Sequence, residues 1–157
     1  MFLTRADFRI KAGAFDLTRS GNILRIAAGA FMFPHLAGKF ANGGFNVGTL
    51  GFFAKAGFTP AEFWLGLAAT SELLVGVCLV LGLCTRFAAL GGAAVLMFAV
   101  YALQVVKGFG WTWNTGGYEY PVFWAIVCVA VSMEAFKEHA RSGLSRGVPA
   151  TSRLRTA

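Results

Sequence analysis

Charge is what this sequence has least of. Only 13% of its 157 residues are Asp, Glu, Lys or Arg, against about a quarter in ordinary soluble domains. With 57% hydrophobic residues, this scarcity argues against a soluble globule and for a membrane protein of one domain. Histidine is rarer still, with only His35 and His139. Two such distant histidines exclude a bis-histidine haem within the chain, and no His/Cys cluster has zinc spacing. Three cysteines, Cys78, Cys84 and Cys128, form no CxxC, which leaves a dithiol redox motif without support. No Gly-rich phosphate loop and no serine-nucleophile motif occurs. Any redox chemistry here therefore needs a partner that carries the electron-transfer cofactor.

Basic residues collect at the two ends. Arg5, Arg9, Lys11 and Arg19 precede the first apolar stretch, and Lys137, Arg141, Arg146, Arg153 and Arg155 follow the last. They flank apolar spans and form no basic face on a folded domain, so membrane topology explains them better than nucleic-acid binding. The first 22 residues carry six charges and no apolar core of secretory length, so no cleavable signal is expected. Phe2, Leu3, Phe8, Ile10, Phe15 and Leu17 among those charges suit a short helix on the membrane surface. A partly ordered polar tail is the alternative.

What the chain does have is long apolar runs. Four spans can be drawn, at about 21–40, 60–83, 87–106 and 118–136. The expected fold is all-α: an integral membrane four-helix bundle with both termini cytoplasmic. Three parts follow: an N-terminal segment 1–20, a transmembrane domain 21–136 and a basic tail 137–157. Arg86 in the tight turn between spans two and three falls on the same side as both tails, which satisfies the positive-inside rule. The aromatic residues Trp64, Trp111, Trp113, Trp124, Tyr118 and Tyr120 gather toward the outer side, as a belt or as a lid over a pocket. Small-xxx-small pairs (Ala88/Gly92, Ala89/Ala93, Gly66/Thr70) predict close helix contacts.

The run from Phe63 to Leu83 carries one carboxylate, Glu72, near its middle. A helix of that length rises roughly 30 Å, so Glu72 falls near the bilayer midplane. A carboxylate there is costly unless paired, protonated or functional. Span one offers His35 and, one turn on, Lys39; Pro34 beside them predicts a kink. Arg25, nearer the inner end, is expected to snorkel to the inner headgroups. Glu72 is therefore expected to meet His35, with Lys39 as a second partner. A His–Glu pair can hold and pass a proton, which suits a quinone headgroup; a structural staple between spans one and two is the other reading.

The segments LRIAAGAFMFPHLAGKF, GFTPAEFWLGLAATSELLVGVCLVLGLCTRFAAL and NTGGYEYPVFWA, from about Leu24 to Val131, closely resemble the DoxX family of small bacterial membrane proteins. The resemblance implies a multi-pass protein of the bacterial cytoplasmic membrane. Some members are the small subunit of thiosulfate:quinone oxidoreductase, so it implies a subunit of a quinone-linked complex rather than a complete enzyme. It marks Arg25, His35, Lys39, Glu72, Arg86 and Glu119. The C-terminal VSMEAFKEHARSGLSRG departs from the Gly-rich ending common in the family. The resulting expectation is a quinone-interacting subunit, with His35 and Glu72 catalytic and Lys39, Glu119, Arg25 and Trp113 lining the quinone site. Expected partners are membrane lipid, a larger redox protein and further copies of the chain, with no nucleic acid. A non-catalytic anchor subunit is the alternative, and a small-solute transporter a weaker third.

Overall fold

The computed structural model describes residues 3–146, without the side chains of Ala6 and 143–146. Two 3-10 turns (Arg5–Phe8 and Ala12–Phe15) precede α1 (Ser20–Ala30) and α2 (Met32–Ala37). A two-residue hairpin, β1 (Phe40–Ala41) with β2 (Gly44–Phe45), leads into α3 (Val47–Lys55). Then come α4 (Ala61–Leu81), α5 (Thr85–Lys107), a 3-10 turn (Trp113–Thr115) and α6 (Glu119–Arg146). The chain is helical throughout except for the hairpin and the loops.

Among the described residues, three helices are long and apolar enough to cross a membrane: α4, α5 and the stretch Glu119–Ser142 of α6. The expected first span does not form a fourth continuous helix. Proline lacks the N–H that would return to the Ala30 carbonyl, and the helix breaks at Phe31, between α1 and α2. Placed end to end, α1 and α2 supply roughly 26 Å of helix. They pack as one broken column against α4, and α1 also meets α6. The kink expected from Pro34 is thus present as an interruption. The last helix is longer than expected, running past Phe136 to Arg146 and into the tail assigned from 137 onward.

The core lies where α1, α4, α5 and α6 converge, around Met32, Leu79, Ala89, Leu96 and Cys128. Ala89, Gly92 and Ala93 meet there as the sequence suggested; Gly92 faces Val75 and Cys128. Gly66, by contrast, has Phe45 of the hairpin as its neighbour rather than another helix. The tightest helix crossing went unread: a Cβ on Gly29 would lie 2.7 Å from Leu79 Cβ and 2.9 Å from the Gly76 carbonyl oxygen. Both contacts are with fixed atoms of α4. Gly29→Ala is therefore expected to cost about 1–3 kcal/mol by overpacking, read as a lowered unfolding midpoint in detergent, whereas Gly51→Ala, with open space around it, changes little.

The turn between α4 and α5 is held by left-handed Gly82 (φ 74°) and Cys84 (φ 44°). The end of the bundle that carries this turn, the start of α1 and the end of α6 is called the inner end below. The hairpin, α3 and the loop before α6 make up the outer end.

Candidate functional site

Glu72 has a partner, and it is Lys39. The Lys39 ammonium donates to both carboxylate oxygens, at 2.6 and 2.7 Å, and to the His35 carbonyl at 3.3 Å. Both side chains are about nine-tenths buried. An ammonium has three donors, and all three are used. Lys39 reaches inward because α2 ends at Ala37 and the chain turns at Gly38 into the hairpin, which leaves a long flexible stem aimed back at α4.

The expected His35–Glu72 pair does not form. Among the described residues no hydrogen bond or ion pair joins them. The His35 ring is exposed and packs 5.4 Å from the ring of Trp124 on α6. His35 thus meets Lys39 only through its backbone carbonyl, while its ring packs against α6. Trp124 departs from the expected interfacial belt: it is buried, and its indole N–H donates to the Ala28 carbonyl at 3.2 Å, one turn before the break.

Arg25 does not snorkel. It is buried, and its guanidinium donates to the Leu79 and Val80 carbonyls at the end of α4 and to the Ala14 carbonyl of the N-terminal segment. Those carbonyls belong to the last turn of α4, where helical donors run out and only Gly82 N–H also reaches the Leu79 oxygen, at 3.3 Å; a cation there also meets the negative end of the helix dipole. Leu79 follows Glu72 by two turns on α4, roughly 10 Å of rise, so Arg25 belongs to the inner end and not to the Lys39–Glu72 pair.

Glu119 and Trp113 come together elsewhere. The loop before α6 closes on itself through Gly117 N–H to the Thr112 carbonyl (3.0 Å), Tyr118 N–H to Gly110 (3.0 Å) and Glu119 N–H to Trp111 (3.0 Å). Gly117 permits this, since any Cβ would sit 2.4 Å from the Gly110 oxygen. The closed loop stands over the first turns of α6 and leaves an open groove of about 580 Å³, lined by Trp111, Trp113, Glu119, Tyr120, Phe123 and Ile126 among others. Glu119 is its charged group, and one carboxylate oxygen accepts from the Trp113 backbone N–H at 3.4 Å. His35, Lys39, Glu72 and Arg25 do not line it. Tyr120 was read only as part of the outer belt or lid and Phe123 escaped the sequence reading, although an aromatic at the start of α6 and another one turn on was the available signal.

The inner end holds a second buried ion pair that the sequence reading passed over. Arg86 grips Asp7 with two nitrogens: Nη2 donates to both carboxylate oxygens, at 2.7 and 2.8 Å, and Nε to one of them at 3.2 Å; its side chain is 4% exposed. Thr4 closes a capping box onto the same carboxylate, and Cys84 N–H donates to the Asp7 carbonyl at 2.7 Å. Burial alone pushes the Asp7 carboxyl up, but hydrogen bonds from Arg86 and Thr4 outweigh it and hold the group at about 2, below the usual 3.8. Beside it, burial pushes the Cys84 thiol up, which keeps it in the unreactive thiol form.

Three apolar helices of membrane length on one tight bundle define a multi-pass helical membrane protein. The model of the DoxX family matches residues 22–105, more than half of the chain, and the protein belongs to that family. The match spans α1 to α5 and ends before the aromatic groove. No curated protein and no solved structure matches the chain.

Proposed function

We propose that this protein is an integral membrane subunit of a quinone-linked oxidoreductase complex in a bacterial cytoplasmic membrane, and that it receives the quinone headgroup in the outer aromatic groove. The observation that carries this reading is the groove itself: aromatic walls, one carboxylate and apolar lining from α6, Val122 and Ile126 among it. The broken α1–α2 column completes a four-span topology, with the inner end and both termini in the cytoplasm. A bound quinone supplies a two-electron, two-proton couple. The electrons come from a partner redox protein. This chain stacks the ring between indole and phenyl faces, and Glu119 accepts or returns a proton at its carboxylate. The Lys39–Glu72 pair, with every ammonium donor used, staples α2 to α4.

The test is quinone bound to protein purified in mild detergent. Wild type is expected to retain quinone, and Trp113→Ala and Phe123→Ala are each expected to hold it about 2–10-fold more weakly. Glu119→Gln is expected to keep the ligand but slow its turnover with a reductant partner. His35→Ala retains wild-type binding. Loss of quinone in His35→Ala with no effect of the groove changes would return the ligand to the space between α2 and α4. A wild type that holds none removes the proposal.

A second reading rests on the closed Lys39–Glu72 pair: a non-catalytic anchor whose partner does all the chemistry. It predicts full complex activity in Trp113→Ala and Glu119→Gln.

A further inference from the structure

The inner end of the bundle has features that the quinone reading leaves unused. A hollow of about 210 Å³ opens there among Lys11, Arg25, Arg86, Asp7, Glu138 and His139. Its two carboxylates are already committed, Asp7 to Arg86 and Glu138 to Arg19 at 3.0 Å. Among the described residues no carboxylate balances Lys11 or Arg25. Carbonyl oxygens satisfy part of the Arg25 donor set and leave its positive charge in place. The hollow is therefore net positive, and His139 is among its lining residues.

Beside it runs the N-terminal segment, pinned in place by Asp7 and by the Ala14 carbonyl. This segment presents Phe8, Ile10, Phe15 and Leu17 to the outside, each at least half exposed. Apolar side chains alternating with Arg9, Lys11 and Arg19 match an interfacial segment, which sinks into the headgroup boundary of an anionic bilayer. A soluble anion needs only the positive hollow. A nucleic acid can stack bases on phenyl rings but gains nothing from the exposed aliphatic Ile10 and Leu17, and an acidic protein needs no apolar row to reach the hollow. An anionic phospholipid uses both parts.

We infer that the inner end is a binding site for an anionic phospholipid, with its phosphate in the hollow beside Lys11, Arg25 and His139 and its acyl chains along the exposed apolar side chains of the N-terminal segment. The assignment to the inner leaflet rests on the topology proposed above; the choice of an anionic over a zwitterionic lipid does not. Asp7 and Arg86 position the segment rather than touch the phosphate.

The experiment uses the full chain in neutral detergent, with lipid retention read by native mass spectrometry and stability by thermal unfolding. Phosphatidylglycerol is expected to be retained and to raise the unfolding midpoint, whereas phosphatidylcholine and inorganic phosphate do neither. Lys11→Gln is expected to weaken retention about fivefold, the usual effect of removing one positive charge at such a surface. Phe8→Ser is expected to weaken it too, while Lys137→Gln, exposed on α6 outside the hollow, leaves it unchanged. Equal retention of phosphatidylcholine overturns the proposal. So does equal stabilisation by inorganic phosphate, or a loss in Lys137→Gln as large as that in Lys11→Gln. Quinone content is unaffected by Lys11→Gln, so failure here and failure at the outer groove are separately visible.

Discussion

Lys39→Met is expected to destabilise the protein by about 3–5 kcal/mol, because it strands the Glu72 carboxylate in the bundle without its counter-charge. The carboxylate is only 10% exposed, so water cannot take over the role of the ammonium. The double change Lys39→Met with Glu72→Leu is expected to recover most of that loss, since an apolar pair of similar volume avoids the cost of drying two charges. Denaturant unfolding in detergent measures both. A single change costing less than about 1 kcal/mol would mean that the pair is hydrated and not a staple. Recovery in the double variant, together with retained quinone, separates fastening from proton transfer at Glu72.

Arg86→Met should have an effect of similar size, about 3–5 kcal/mol, for a related reason at the other end. The substitution removes all three hydrogen bonds to Asp7 and leaves that carboxylate tucked against the start of α5. It also removes a cation from over two rings, with Arg86 Cζ 5.1 Å from Phe87 and 5.3 Å from Phe136. Lysine cannot reproduce a two-nitrogen grip, so Arg86→Lys is expected to restore only part of the loss. Acid offers a second readout. The folded Asp7 value of about 2 lies below its unfolded value near 3.8, so this stabilisation is complete above about pH 4 and drains as pH falls through 2. In Asp7→Asn that segment of the pH–stability curve is expected to flatten.

Much of the fold was legible because apolar length is a one-dimensional property. Spans two and three appear at α4 and α5 nearly as drawn, since Pro60, Gly82 and Gly108 punctuate them. The first column was legible only in part: composition gave its length, but the effect of Pro34, a full break at Phe31, depends on which carbonyls find other donors. The candidate site was read less well. Spacing put His35 and Lys39 on one face, and the charge of Glu72 called for a partner there. It could not show that a turn at Gly38 frees the lysine stem while Trp124 claims the imidazole. Asp7 was hidden for another reason. An acid in a short, charge-rich N-terminal segment looks like part of a solvated tail until Arg86, far along the chain, is brought beside it.

That separation sets an order of events during synthesis. Asp7 and Arg86 stand 79 residues apart, and translation proceeds at ~5–20 residues per second. The amino terminus must therefore wait several seconds, uncommitted, until the α4–α5 turn has emerged. Only then can it be clasped to the bundle, so its docking records that α4, the helix before that turn, has already been made.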